Sequence, residues 1–267
     1  MKAEHVTPFT ALVLAGTRGR TDPVAEAAGY QRKALVPIAG VPMLVLVIRA
    51  LRASEQIGGI VVSSDDPAIL DGIPELRELT SSGALSGVRC GRSPSASVIE
   101  HLRRLGARQP LLVTTADHPL LTTEMVDYFC AAARRSCADV AVAAVAASLF
   151  RRRYPQSRRT FIPLRGESFS GANLFGFLTP EAGVAAEFWA GAEAFRKHPW
   201  RLARLFGSVS LALFVLGRLD LEAALARASR TIGARISVVE MPYPECAIDV
   251  DGPEDLALAA RILSGGP

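Results

Sequence analysis

Residues 11–44, ALVLAGTRGRTDPVAEAAGYQRKALVPIAGVPML, decide how the chain is read. Ala11-Leu12-Val13-Leu14 is a short apolar run with no polar face, as expected of a strand buried on both sides in a parallel sheet. It runs directly into Ala15-Gly16-Thr17-Arg18-Gly19-Arg20, where small residues let the backbone turn sharply and approach a ligand. Free backbone N–H groups and two arginines give this loop the form of a phosphate cradle. No Gly-Lys-Ser/Thr closes it, so it is not a P-loop, and the Gly-x-Gly-x-x-Gly spacing of a dinucleotide site is absent. Lys33 follows. A second turn at Gly40-Val41-Pro42 lets Pro42 start a helix over Met43 to Leu51.

Working outward, strands and helices alternate. Ile57 to Asp65 reads as a strand with a polar end, Gly87 to Cys90 as a short strand, and Leu111 to Thr114 as a buried one. Helices are predicted over Ser95 to Leu105, with Val98, Leu102 and Leu105 on one face, and over Met125 to Arg135. Asp139 to Ala147 is apolar and leads into the basic run Arg151-Arg152-Arg153-Tyr154. Phe161 to Leu164 and Ser168 to Phe177 read as strands with no helix between them, which favours antiparallel pairing. A helix is predicted from Pro180 to His198, another begins at Asp220, Ile236 to Met241 is a strand, and Pro253 opens a last helix reaching Leu263. The pattern is α/β, a doubly wound, mostly parallel sheet. Ligands of such sheets lie across the carboxyl ends of the strands, which places Gly16 to Arg20, Ser63 to Asp66 and Ala116 to Pro119 around one crevice.

Composition bounds the function. At 267 residues the chain can bury a full core in one domain, and 49% hydrophobic against 21% charged residues excludes a disordered chain. A net charge of +4 suits anionic small molecules and does not argue for nucleic acid. Cys90, Cys130, Cys137 and Cys246 lack C-x-x-C spacing, so neither a zinc site nor a disulfide framework is supported. Cys130 and Cys137, two helical turns apart, are expected as buried thiols on one helix face. No secretory pattern is seen at the N-terminus, and the apolar stretch Val209 to Leu216 is too short to span a bilayer, so a cytoplasmic enzyme is expected.

Among residues that carry chemistry, Asp117 follows a buried strand and precedes Pro119. It reads either as a magnesium ligand, a hard oxygen donor at a strand end, or as a turn aspartate capping the next helix. Asp249 and Asp251 alternate across Val250 and point to one side if extended; either also reads as an acid at the start of the last helix. Arg18, Arg20 and Lys33 are the cations available to a triphosphate, or simply solvated charges. Ser93, Ser95 and Ser97 supply small hydroxyls around a helix start with a serine cap. Ser170-Gly171-Ala172-Asn173 offers close backbone approach at Gly171 and an amide at Asn173, or a plain β-turn. Phe195 to Leu219 mixes Arg196, Lys197, Arg201 and Arg204 with Trp200 and other apolar residues, and reads as helical cover, as a lid, or as a basic surface for acidic lipid.

The order Leu-Ala-Gly, a loop with glycine and arginine, Lys33 before Leu-Val-Pro-Ile, then Gly-Val-Pro-Met-Leu resembles the nucleotidyltransferases of the molybdenum-cofactor and sugar-phosphate type. Thr115-Ala116-Asp117-His118-Pro119-Leu120-Leu121 and Ile248-Asp249-Val250-Asp251-Gly252-Pro253-Glu254-Asp255-Leu256 match the same family in the same order. Thr17 stands where the family has Gly, Thr21 where it has Arg, and Arg32 where it has Pro.

The resemblance implies a nucleotide-diphospho-sugar transferase type of fold over residues 1–267, with 150–235 as an inserted acceptor or lid region. It implies a Mg²⁺-dependent transfer of NMP from an NTP, CTP or GTP first, to a phosphorylated small molecule with release of pyrophosphate. Lys33, Asp117 and Asp251 are then catalytic, and Asp117 with Asp251 binds the metal. Leu14, Ala15, Gly16, Thr17, Arg18, Gly19, Arg20, Lys33, Ser95 and Ser97 meet the nucleotide, and Gly171 and Asn173 the acceptor. No nucleic-acid partner is expected; peripheral membrane contact through 195–219 and a monomeric or homodimeric state stay open. Two alternatives also stay open. A glycosyltransferase using a nucleotide sugar calls for Asp-x-Asp after the central strand, and Ala116-Asp117-His118 lacks the second carboxylate. A catalytically silent relative is the other.

Overall fold

The computed structural model describes residues 7–17, 22–106, 110–193 and 208–265. In chain order the elements are β1 (Phe9–Leu14), α1 (Pro23–Ala27), β2 (Pro37–Ile38), β3 (Val41–Pro42), α2 (Met43–Ala53), β4 (Ile57–Ser64), α3 (Pro74–Ser81), β5 (Leu85–Arg89), α4 (Pro94–Leu105) and β6 (Leu111–Thr115). There follow α5 (Thr123–Arg135), β7 (Val140–Ala146), α6 (Ala147–Arg153), β8 (Ile162–Pro163), β9 (Ser168–Phe177), α7 (Ala182–Glu193), α8 (Ser208–Val215), α9 (Leu221–Ile232), β10 (Ile236–Glu240) and α10 (Pro253–Leu263). The main sheet runs β10-β7-β9-β6-β1-β4-β5, with β8 paired to β9. β1 pairs in parallel with β4 and β6, β4 with β5, and β7 with β10, while β9 is antiparallel to both β6 and β7.

Alternation along β1 divides the core. Ala11 and Val13 join the layer containing α2, α3 and α5, whereas Leu12 packs with Val61, Val98 and Val113 under α4 and α7. A strand covered on both faces needs apolar residues at successive positions, which is why β1 shows no polar side. On α2 the positions Leu44, Val47, Ile48 and Leu51 follow i, i+3, i+4, i+7 and are all fully buried. Side-chain caps start several helices: Asp22 on α1, Ser93 on α4, Thr122 on α5 and Asp220 on α9.

The structure corrects some sequence expectations. α2 starts at Met43 as expected, with Pro42 paired to Pro37 in the β2–β3 ribbon just before it, but runs on past Leu51 to Ala53. Short helices α1, α3 and α6 were not foreseen; the basic run 151–153 is the last turn of α6, with its cations at the negative end of the helix. Cys130 is buried, but Cys137 is exposed: α5 ends at Arg135, and Cys137 turns the chain with φ +51°, off the helix face. Span 150–235 supplies β9 to the interior of the sheet, so that part is built into the main layer. Of the segment 195–219, residues up to 207 lie outside the described residues; α8 itself leaves Phe214 exposed and is followed by exposed Leu216. Among the described residues no helix is long and apolar enough to cross a membrane.

One buried acid ties the antiparallel half together. Asp139, 4% exposed at the start of β7, accepts from the Arg235 backbone at 2.7 Å, from the Arg235 guanidinium at 2.8 Å, and from the Thr179 hydroxyl at 2.8 Å. These bonds, the guanidinium's first, outweigh burial and hold its carboxyl down from 3.8 to about 2. A depressed folded pKa adds stability that is complete above the unfolded value and is lost as pH falls from 3.8 through about 2. Asp139→Asn is therefore expected to lower Tm at pH 7 and to flatten the fall of Tm in that acid window, measured by thermal melts from pH 7 to pH 2.

Candidate active site

The carboxyl ends of β1, β4 and β6 deliver the site. The ladder continues past the strands, with Ala15 N–H donating to Ser63 at 2.8 Å and Ala116 N–H to Leu14 at 2.9 Å, so Gly16 and Asp117 leave the sheet side by side. Gly16 has little room: a Cβ there would lie 3.2 Å from Cys90 Sγ. Thr17 donates through its amide (2.7 Å) and hydroxyl (2.5 Å) to Asp65 Oδ2, Cys90 Sγ donates to Asp65 Oδ1 at 3.2 Å, and Arg32 stands 3.7 Å from the same carboxylate and 3.5 Å from Asp66. Burial pushes Asp65 up, but these partners outweigh it and keep the carboxyl below its ordinary range. Two family departures, Thr17 and Arg32, thus converge on one carboxylate. Arg18, Gly19, Arg20 and Thr21 lie outside the described residues.

A second constellation gathers the acids. Ile248 and Val250 are fully buried, so the intervening Asp249 and the following Asp251 face outward on the same side. Val250 N–H donates to the Asp117 carbonyl at 2.9 Å, which docks the last motif against the end of β6. Asp255 then accepts from the Asp251 and Gly252 amides at 3.1 and 2.9 Å and fixes the turn into α10. Into this junction reaches Lys33, whose Nζ is 2.7 Å from Asp117 Oδ2, 3.2 Å from Asp251 Oδ1 and 3.9 Å from Asp22. Burial works against its charge, but Asp117 and Asp251 outweigh it and raise the ammonium above its ordinary pKa.

Asp249 takes a different set of partners. Arg159, nearly buried, contacts its carboxylate, donates to its carbonyl at 2.7 Å and stands 3.4 Å from Asp255. Asn173 Nδ2 donates to the other Asp249 oxygen at 3.2 Å. Burial pushes the Asp249 carboxyl up, Arg159 pulls it down, and the nearby Asp251 and Asp117 add to the rise. Asn173 itself sits at φ +45°, where β9 carries three residues, Ala172 to Leu174, against Ala143 of β7. Asn tolerates this left-handed backbone better than most residues, and such bulges re-aim side chains at sites. Arg159 escaped the sequence reading as a site residue, because only the fold brings it to the last motif.

Two hollows flank Gly16. The smaller, about 240 Å³, holds Thr17, Lys33, Asp117 and Asp251, and the larger, about 450 Å³, extends over Ser63 to the Cys90–Ser97 segment on one side and to Asn173, Phe175 and Trp189 on the other. Leu14, Gly16 and Asp117 are common to both. Ser97 lines the larger hollow, its hydroxyl accepting from the Gly91 amide at 2.9 Å. Ser95 is buried beneath it, with its hydroxyl donating to Glu193 at 2.5 Å. Gly171 is exposed on β9 and does not line either hollow; Asn173 lines the larger.

Could a metal sit here? Asp117 Oδ1 is buried and has no hydrogen-bond partner among the described residues. A carboxylate oxygen left that way is costly and is satisfied by a hard cation. Among the described residues no three His, Cys, Asp or Glu form a metal cage. Two carboxylates are nevertheless a fitting donor set for Mg²⁺, which keeps its remaining positions for water and phosphate oxygens.

Comparison with known proteins agrees with this geometry. Residues 11–155 match the MobA-like NTP transferase domain, more than half of the chain. The chain belongs to the MobA-like NTP transferase family. A hypothetical transferase from Thermus thermophilus is 31% identical over 93% of this NTP transferase and 99% of its own chain, with a TM-score of 0.76. The fold is shared with 4-diphosphocytidyl-2C-methyl-D-erythritol synthase from Anaerococcus prevotii (14% identity, 97% and 96% of the two chains, TM-score 0.57). It is shared also with a CMP:2-keto-3-deoxy-manno-octonic acid synthetase in complex with CTP (15%, 97% and 99%, TM-score 0.57). No curated protein sequence matches. The chain is thus an enzyme of the nucleotidyltransferase kind.

Lys33 occupies the side of Asp117 and Asp251 that a divalent cation would need. Replacing it, Lys33→Ala, leaves Asp117 and Asp251 facing each other, so Tm without metal is expected to fall. Mg²⁺ alone is then expected to raise Tm more in the variant than in wild type, read by thermal shift with and without MgCl₂. Equal metal-induced shifts would place Lys33 outside the metal-binding junction.

Proposed function

We propose that this NTP transferase moves NMP from an NTP to a phosphorylated small-molecule acceptor, with Mg²⁺ held by Asp117 and Asp251 and pyrophosphate released. One observation carries the reading: Lys33 holds together an acid at the end of β6, Asp117, and one at the lead-in to α10, Asp251, beside the turn after β1, and Asp117 keeps a buried oxygen without a partner among the described residues. Transfer to an acceptor phosphate gathers negative charge at the α-phosphorus and on the departing pyrophosphate, so positioned cations are what lower the barrier. The bound ion would supply charge neutralisation on the phosphates.

The chain's own groups do the rest. Lys33 presents its ammonium to the triphosphate in the smaller hollow, and Gly16 leaves backbone room beside it. Nucleoside occupies the larger hollow toward Gly91 and Ser97. Asn173, held by Asp249, lies on the opposite flank and positions the acceptor, with the aromatic pair Phe175–Trp189 (centroids 6.0 Å apart) forming the wall beyond it. CTP or GTP is the favoured donor; CTP gains support from the bound nucleotide of the octonic acid synthetase. The lid or acceptor role of 150–235 belongs to the same proposal.

The test is pyrophosphate release from each NTP with a panel of phosphorylated sugars, polyols and pterins. Asp117→Asn and Asp251→Asn are expected to fold normally and to lose about 10²–10³ in kcat, the scale on which one charge-stabilising group counts. Asp249→Asn is expected to raise the acceptor KM with a smaller change in kcat, since its contacts run to Asn173 and Arg159. A larger kcat loss at Asp249 than at Asp251 would reassign the metal ligand.

A further inference from the structure

Across the end of the sheet, register sets three side chains in one row: Thr115 on β6, Leu14 on β1 and Ser63 on β4. Paired positions on neighbouring strands face the same side, and all three line the larger hollow. Ser63 is 1% exposed, and its Oγ has no hydrogen-bond partner among the described residues; the buried Oγ1 of Thr115 is in the same condition. Buried hydroxyls are paired as a rule, so two unpaired ones lining one hollow call for a ligand. Thr114 carries an unpaired hydroxyl as well, but alternation turns it to the other face of the sheet, away from the hollow.

The row has a direction. It starts on the strand that ends at Asp117 and runs toward the Cys90–Ser97 segment, and neighbouring strands lie about 4.8 Å apart, so Thr115 and Ser63 are separated by about 10 Å. That is the reach of a nucleoside laid across the strands, with its 5′ end at Asp117. We infer that Thr115 and Ser63 are the floor groups that hydrogen-bond the nucleoside of the donor nucleotide, Thr115 under the sugar and Ser63 under the base. Each hydroxyl can donate and accept, and each finds in the ligand the partner it lacks without it. The inference rests on the transferase reading above and adds which side chains read the nucleoside.

The two states of these hydroxyls make the test specific. Removing a hydroxyl with no protein partner leaves the free protein no less stable, whereas it costs the bound state a hydrogen bond. Ser63→Ala, Thr115→Val and, as the opposite-face control, Thr114→Val are compared with wild type by thermal melts without nucleotide and by calorimetric titration with the Mg²⁺ complexes of CTP, GTP, ATP and UTP. Melting temperatures at or above wild type are expected for all three. The Kd of the nucleotide that wild type binds is expected to rise about fivefold in Ser63→Ala and in Thr115→Val, the loss of one neutral hydrogen bond, and to stay unchanged in Thr114→Val. Wild-type affinity in either floor variant, an equal loss in Thr114→Val, or a drop in nucleotide-free Tm on removing either floor hydroxyl overturns the floor while leaving the transferase reading intact. A wild-type protein that binds none of the four nucleotides overturns both.

Discussion

The Lys33 ammonium, 2.7 Å from Asp117 and 3.2 Å from Asp251, is the contact on which the site depends. Two carboxylates brought this close repel each other, and in a half-buried junction that repulsion is felt more strongly than in water. Lys33 neutralises it from a third part of the chain. The backbone bond from Val250 to the Asp117 carbonyl makes the arrangement rigid, because it sets the height of the last motif against the end of β6. A strand end, the 3₁₀ turn Lys33–Leu35 and the lead-in to the last helix therefore meet at one point. In the proposed reaction Mg²⁺ and a triphosphate would exchange one cation for others there without rebuilding the scaffold.

Behind that junction lies a second, separate network. Arg159 and Asn173 share the Asp249 carboxylate, and Arg159 extends to Asp255 at the start of α10. Asp249 is thereby committed to side chains from the 150–175 region, whereas Asp251 meets Lys33. Neighbouring acids in a single motif end up with different duties because buried Val250 turns both outward while their partners come from opposite directions. On the other flank Asp65 gathers Thr17, Cys90 and Arg32, so two departures from the family pattern, one in the first loop and one just before Lys33, meet at one carboxylate.

Much of this was legible in the sequence, for identifiable reasons. A strand buried on both faces has no polar position, and 11–14 has none, so β1 and the turn after it could be read directly. Asp249 and Asp251 on one side of an extended segment followed from period two. The antiparallel pairing of β8 with β9 followed from the lack of a helix between them. What could not be read was whatever depends on where distant segments meet. The insertion of β9 between β6 and β7 and the approach of Arg159 to the last motif leave no local pattern. The bulge that turns Asn173 to φ +45° is equally silent, and the assignment of Ser95 to Glu193 rests on helix packing between α4 and α7. The seven-residue spacing of Cys130 and Cys137 suggested one helix face, but Cys137 lies two residues past the end of α5, where φ +51° turns the chain away.

The central claim is that Asp117 and Asp251 form a shared site for one divalent ion that is completed by the nucleotide. Titrating Mn²⁺ into the protein and following the free-ion electron paramagnetic resonance signal, with and without CTP or GTP, tests it most directly. The account predicts weak binding alone, one tightly bound ion per chain once the nucleotide is present, and loss of that ion in both Asp117→Asn and Asp251→Asn. Tight nucleotide-dependent binding that survives either substitution would contradict it.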